Sequence, residues 1–312
     1  MIDHVPRLKP YGRSATGDLA FARSLYDAGR LHDAIWVLDR ALRENPELAE
    51  AHCLRGIVTA NLRRWDEATR ALELALKLRP DDAASCSALA EVSLETGQLT
   101  RALDCVERSI AADGRSRDFL LRARILRAMR RFAAARASCR LAIELDPQST
   151  AAHCELGELL LQQLDFQGAI SHFEIARHLH PARAATFLAL GDCLRLAGDP
   201  ARAAEEYKAA ARLSPADPEP QLRLARLFVD QNRLDQALAA LRLASVMAPH
   251  SAECLLLLAR VYLSLKRYEE AIDYARRAEN LDPRIDSAAE VVQSAEAAMA
   301  TASTQHAVGW SE

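Results

Sequence analysis

A proline recurs along most of this chain at one interval. Pro46, Pro80, Pro147, Pro181, Pro215, Pro249 and Pro283 stand 34 residues apart, except for one wider gap that falls a residue short of two intervals. Gly114 fills the missing place. Twelve residues before each of these stands an alanine: Ala34, Ala68, Ala102, Ala135, Ala169, Ala203, Ala237 and Ala271. Twelve residues earlier again comes another small residue, from Ala22 and Gly56 to Ala225 and Ala259. A third small set runs Ala41, Ala75, Ser109, Ala142, Ala176, Ala210, Ala244 and Ala278. Self-similarity at such a period is the mark of one supersecondary unit stacked on itself, and it narrows the fold more than any single motif does.

The physical reading of one copy serves for all. Ala184 to Asp217 holds two helix-period segments, joined at Gly198 and stopped by Pro215. Side chains three, four and seven apart share a helix face. Two helices joined by a short turn approach closely only where the facing residues lack bulk. Larger residues such as Phe173, Tyr207 and Leu241 then fill the remaining space. Proline ends the second helix because it has no N–H and disfavours helix in the residue before it. Gly29, Gly97, Gly198 and Asn232 suit the left-handed residue that closes the first helix. Arg63, Arg130, Leu164 and Lys266 hold that place in the other copies, where the turn carries strain or takes another geometry.

The set Gly157, Ala169, Phe173, Ala176 and Pro181, and again Gly191, Ala203, Tyr207, Ala210 and Pro215, resembles the tetratricopeptide repeat (TPR). The resemblance implies an all-α fold, a right-handed α–α superhelical solenoid of about eight TPR helix–turn–helix repeats with a C-terminal capping helix. The copies are 15–48, 49–82, 83–115, 116–149, 150–183, 184–217, 218–251 and 252–285. The family's tryptophan early in the first helix is absent from every copy. Residues 1–14 read as an N-terminal arm. Residues 113–117, which lose a position and the proline, read as a looser joint. Residues 286–300 read as the capping helix, with Ser287 and Glu290 at capping-box spacing and Val291, Val292, Ala295 and Met299 covering the last repeat. Residues 301–312 read as a flexible tail, in which Trp310 is an exposed residue or a short docking motif.

Composition excludes several classes of function. Hydrophobic residues make up 50% and aromatics 5%, as in helices rich in Ala and Leu. A net charge of -3 gives no bias toward nucleic acid or a membrane surface. Only Lys9, Lys77, Lys208 and Lys266 among the 40 basic residues are lysine, a usage that fits a GC-rich bacterial genome. The seven cysteines are odd in number, lack C-x-x-C spacing and fall in helical patterns. They read as thiols of a reducing compartment in preference to a disulfide or metal framework. No apolar run reaches the ~18 residues of a membrane span, and the start does not resemble a secretory signal. A soluble, cytoplasmic protein is expected. There is no phosphate-binding glycine loop, nucleophile elbow or zinc-protease motif, so neither an enzyme nor a cofactor is expected. His153, His172, His178 and His180 read as surface imidazoles, because ligands six and eight apart diverge around a helix. The repeated His52-Cys53 and His153-Cys154 read as accidents of duplication, since adjacent helical residues point about 100° apart.

In the family this chain resembles, first helices line a concave groove that holds a peptide. The resemblance places the fifth, ninth and twelfth positions of each copy there. The candidate partner-binding residues are Arg124, Arg127, Glu158, Leu188, Asp192, Arg195, Leu222, Arg226, Leu256 and Arg260. Leu188, Leu222 and Leu256 form an apolar floor, or else pack against neighbouring first helices. Arg124 has Glu91 and Glu158 at its own position in the adjacent copies, so these charges satisfy one another or meet a partner. Arg226 and Arg260 have no acid at that position in the next copy, which makes them candidates for a partner's carboxylates. Residues 115–131 carry seven arginines against Asp118 alone, a solvated face or a seat for an acidic segment. The Asn and Lys pattern with which some family members clamp a chain-terminal carboxylate is missing. The first reading is therefore a non-enzymatic scaffold binding a peptide of a protein partner. The second is a structural or assembly subunit that docks or self-associates through its outer face, with Trp36 and Trp65 as candidates. The third is a regulatory ligand-sensing module.

Overall fold

The computed structural model describes residues 14–284 and 286–308, the side chains of residues 286 and 302–308 aside. The expected N-terminal arm, Ser14 excepted, and Trp310 lie outside the described residues. All secondary structure among the described residues is helical. The helices come in pairs: α1 (Ala15–Asp27) and α2 (Leu31–Glu44), α3 (Ala49–Asn61) and α4 (Trp65–Leu78), α5 (Ala83–Glu95) and α6 (Leu99–Asp113), α7 (Ser116–Ala128) and α8 (Phe132–Leu145). There follow α9 (Thr150–Gln162) and α10 (Phe166–Leu179), α11 (Ala184–Leu196) and α12 (Pro200–Leu213), α13 (Glu219–Asp230) and α14 (Leu234–Met247), α15 (Ala252–Ser264) and α16 (Tyr268–Leu281). A last helix, α17, spans Asp286–Val308. The chain divides inside α9 into two compact units, one up to Leu159 and one from Leu160 onward. No described helix is long and apolar enough to cross a membrane.

The small residues do what their spacing requires. Every alanine of the three sets is at most 1% exposed. The glycines show how little room there is. A Cβ on Gly56 would lie 2.5 Å from Leu72 Cγ, and one on Gly191 would lie 2.5 Å from Tyr207 Cε1. A large residue on the second helix thus occupies the space that the first helix gives up. Tyr207 and Phe173 are the largest fully buried side chains among the described residues.

All eight turns between paired helices adopt one geometry. Gly29, Gly97 and Gly198 have positive φ, and so do Arg63, Arg130, Leu164, Asn232 and Lys266, at 55° to 61°. The copies without glycine therefore keep the left-handed turn and bear its strain. At the far end of three copies, the residue before proline closes the loop. Asn45, Asp146 and Asp282 each accept a hydrogen bond at 3.1 Å from the backbone N–H two residues on. The repeated histidines join in. His52 Nε2 donates to the Pro46 carbonyl at 2.9 Å and His153 Nε2 to the Pro147 carbonyl at 3.2 Å. This corrects two expectations: the dipeptide repeats because the loop uses it, and His153 is buried instead of lying at the surface.

Two further expectations change. The joint at residues 113–117 is short and tied, not loose. Only Gly114 and Arg115 separate α6 from α7; the Arg115 N–H donates to Asp118, its guanidinium pairs with Asp113, and Ser116 Oγ donates to the Ala142 carbonyl at 2.8 Å. The capping helix begins at Asp286, a residue ahead of Ser287, so Ser287 lies inside it and is not its cap. It also runs to Val308, eight residues beyond the expected end at 300. Alanine is the strongest helix former, and from Ala288 to Val308 the sequence has neither Gly nor Pro to stop the helix. Val291 and Ala295 are buried and Val292 and Met299 half-buried, whereas Glu290, Gln293 and Glu296 are exposed.

Candidate functional site

In the second unit, the first helices α11, α13 and α15, with the end of α9, line a groove of about 640 Å³. Its apolar wall is Leu161, Leu196, Val229 and Leu257, and its charged wall is Asp192, Arg195, Arg223, Arg226, Asp230 and Arg260. Tyr207 reaches in from α12. Its ring is core and fills the seam at Gly191, while its hydroxyl donates to Asp192 Oδ1 at 2.6 Å. Burial pushes the Tyr207 hydroxyl pKa up, against the pull of nearby Arg195.

The groove's charges are unequally engaged. Arg223 pairs with Asp192 and, at 2.8 Å, with Glu219. Burial and then the neighbouring Arg226 push the Arg223 pKa down, which marks a crowd of positive charge. Arg226 pairs with Glu253 in the next copy. Arg195 comes only within 3.9 Å of exposed Asp230. Arg260 is exposed and makes no ion pair among the described residues.

Four of the ten predicted residues therefore meet here: Asp192, Arg195, Arg226 and Arg260. Arg226, expected to be open, is already taken. The predicted floor is displaced. Leu222 is buried in the core, Leu256 packs against that core and Leu188 is half-buried. The apolar wall comes instead from the ends of the first helices, the twelfth position (Leu161, Val229) and the thirteenth (Leu196), together with Leu257. Leu161 and Val229 were legible as twelfth-position residues. Arg223 and Tyr207 were not, because their roles depend on pairing across copies.

Arg124, Arg127 and Glu158 belong to the first unit. There a smaller groove of about 220 Å³ is lined by Trp65, Glu91, Leu94, Glu95, Leu121 and Arg124, among others. Trp65, expected on an outer face, is half-buried and lines this inner groove. The Glu91–Arg124–Glu158 ladder is not formed. Glu91 pairs with Arg117 at 2.8 Å, and Arg127 pairs with Glu155 and, at 3.6 Å, with Glu158. The ninth position of one copy meets the second position of the next, as Glu91–Arg117 and Arg226–Glu253 both show. Most arginines of residues 115–131 are neutralised in this way, with Arg122 bound to Glu107 at 3.1 Å.

None of the seven cysteines is in a disulfide, and six of them are buried. Burial pushes the pKa of Cys139 up to about 12, and those of Cys193 and Cys254 up to about 11, the opposite of what a nucleophilic thiol needs.

Comparison with known proteins agrees with this architecture. The tetratricopeptide repeat model matches residues 19–83, 154–218 and 222–298, and two further models of the same description match 62–125, 194–246 and 119–149. No curated protein matches the sequence. Among solved structures, a chain of the APC/C hetero-tetramer Cut9–Hcn1 is similar, with 19% identity and a TM-score of 0.65 over 78% of this chain and 48% of that one. This chain thus spans about half the length of that relative. A tetratricopeptide repeat protein from Parabacteroides merdae shows 15% identity and a TM-score of 0.60 over 80% of this chain and 98% of its own. The C-terminal part of a TPR repeat-containing protein from Cytophaga hutchinsonii shows 15% identity and a TM-score of 0.59 over 77% and 99%. Identities this low speak to fold alone. Proteins of this kind are typically non-catalytic scaffolds that bind other proteins. With matches across most of the sequence and eight copies of one helix pair, the chain belongs to the tetratricopeptide repeat family.

Proposed function

We propose that this protein is a non-enzymatic scaffold that takes a peptide segment of a partner protein into the groove of its second unit. The observation that carries this reading is the groove itself, which joins an apolar wall to a row of arginines along three successive repeats. A small-molecule site would be enclosed and would converge on a few polar groups; this one is half open and is lined from successive repeats, which suits a chain segment. Selection of peptides from a displayed library against the full-length protein tests it. The selected peptides are expected to lose binding to the Val229→Trp variant, in which a bulky residue fills the groove from an exposed position. Undiminished binding to that variant removes the reading.

A second reading has its own observation. Leu74, Leu141, Ile175 and Leu243 occupy one position of the second helix in their copies, and all are exposed, as is Val246 at 81%. Trp36 is half exposed, with Arg40 stacked 5.2 Å from its ring. Exposed apolar residues recurring at one repeat position fit an assembly subunit that docks through its outer face. Light scattering over a dilution series checks the self-associating form of this reading, which a strict monomer at high concentration eliminates.

A further inference from the structure

We infer that the partner segment carries two acidic side chains at least about five positions apart, with apolar residues between them, and that Arg195 and Arg260 read them. This rests on the groove reading above. The groove has four arginines, but Arg223 is held by Asp192 and Glu219, and Arg226 by Glu253. What remains for a ligand is Arg260 on α15, which has no ion pair among the described residues, and Arg195 on α11, which lies beside the Tyr207 hydroxyl and whose one ion pair among the described residues is at 3.9 Å. These two helices flank α13. Directly packed helices lie 8–10 Å apart, and α11, α13 and α15 touch one another less than such pairs do, so two steps separate the outer axes by at least roughly 16–20 Å. An extended chain covers ~3.3–3.6 Å per residue, which makes that distance at least about five residues. Val229 on α13, with Leu196 and Leu257, lines the same groove.

The groove's own acids do not repel such a ligand strongly. Asp192 is covered by the Tyr207 hydroxyl and by Arg223, and Asp230 is the one lining carboxylate without a close partner. Each guanidinium offers a planar fork to a carboxylate. A chain-terminal carboxylate shares that chemistry, but it supplies charge at one end only. The spacing of the two arginines favours internal acidic side chains.

The probe is a fluorescein-labelled, C-terminally amidated peptide containing Glu-Leu-Val-Leu-Ala-Glu, titrated into the full-length protein. Its matched arms replace both glutamates by glutamine, bring the glutamates two positions apart, or leave a free C-terminus. The expected result is binding that weakens at least about tenfold for the glutamine peptide and for the Arg195→Gln plus Arg260→Gln variant, weakens from about 0.05 to 0.5 M salt, and ignores amidation. Equal binding of the glutamate and glutamine peptides, with Val229→Trp still abolishing both, overturns the acidic inference and leaves the groove reading standing. Binding that survives Val229→Trp overturns the groove reading itself. Dependence on the free C-terminus, equal binding of the short-spaced peptide, or no binding of the probe at millimolar concentration overturns the two-acid assignment. Circular dichroism of each variant confirms that the helices persist.

Discussion

The two units solve the same packing problem with different side chains. At one position of the second helix the first unit has Leu38, Leu72, Val106 and Cys139, whereas the second unit has the buried aromatics Phe173 and Tyr207 beside Leu241 and Ala275. An aliphatic residue ends in the seam. Tyr207 passes through it and presents a hydroxyl to Asp192 in the groove. Charge follows the same division. The inner arginines Arg117 and Arg127 of the first unit are bound to its own glutamates and Arg124 is exposed in its small groove without an ion pair among the described residues, while the second unit keeps Arg260 in the same condition beside a groove nearly three times as large. One repeat can therefore be spent on holding the stack together or on presenting a surface, and the choice is made by a few residues that the repeat pattern leaves free.

Removing arginines tests that contrast most severely. Asp18 is fully buried, and Arg40 clamps both its oxygens, at 2.6 and 2.5 Å. Arg40→Ala leaves that charge buried and unpaired, and is expected to cost about 3–5 kcal/mol in urea unfolding. Arg223→Ala in the second unit is expected to cost much less, because Asp192 keeps the Tyr207 hydroxyl and reaches water. Similar losses at both sites would mean that the groove arginines are as structural as those of the first unit.

The next largest effect comes from the glycines. Gly56→Ala and Gly191→Ala both force a Cβ to within 2.5 Å of a neighbour. Overpacking of this kind costs about 1–3 kcal/mol. Leu72 can change rotamer, but the Tyr207 ring is tethered through its hydroxyl, so Gly191→Ala is expected at the upper end and Gly56→Ala at the lower. The melting temperatures of the two variants check the order. If Gly191→Ala displaces Tyr207, it is also expected to weaken peptide binding, which Gly56→Ala leaves unchanged.

What the sequence made legible follows from what repeats. The three small sets, the prolines and the turn residues recur at fixed places, so eight helix pairs form one after another, and the left-handed turns fall at Arg63, Arg130, Leu164 and Lys266 as well as at the glycines. The groove was legible only in part. Asp192, Arg195, Arg226 and Arg260 are on first-helix positions that face it. Their pairing was misjudged because like positions in successive copies do not meet: a long side chain at the ninth position reaches the second position of the next helix. Of the two readings open for Leu222, its burial in the core fits packing against its neighbours. Periodicity reports which face a residue occupies, not how far a neighbouring helix is shifted along it.

Alkaline pH separates the units more gently. Burial holds Cys139 neutral up to about 12, and Cys193 and Cys254 up to about 11, against an ordinary 9.0 in the unfolded chain. The folded values are raised, so the contribution of each thiol to stability is fully present below pH 9 and is lost as pH climbs through the folded value. The loss is about 1.4 kcal/mol per pH unit per thiol. Cys139→Ala is expected to shift the alkaline unfolding midpoint upward, and by more than Cys193→Ala does, because its window is wider. An unchanged midpoint in both variants would mean that other groups drive alkaline unfolding.

The smallest effect lies in the turns, where the units differ in how much strain they accept. The first unit uses glycine at Gly29 and Gly97 and arginine at Arg63 and Arg130; the second has one glycine, Gly198, against Leu164, Asn232 and Lys266. A side chain in the left-handed region costs about 1–2 kcal/mol relative to glycine, offset in part by the greater freedom of glycine in the unfolded chain. Asparagine tolerates the region best, so Asn232→Gly is expected to change little. Leu164→Gly is expected to stabilise by up to about 1 kcal/mol, since it relieves the strain and removes an exposed apolar side chain. Lys266→Gly is expected to give less, because no apolar surface is removed. Hydrogen exchange of the flanking amides, Asp165 and Arg267, reads each turn separately, and both bond back to a carbonyl of the first helix, Leu160 and Tyr262. If Leu164→Gly slows exchange at Asp165, the second unit carries strain that it could shed without loss of fold. If exchange quickens, the leucine holds its turn through contacts that outweigh the backbone's preference.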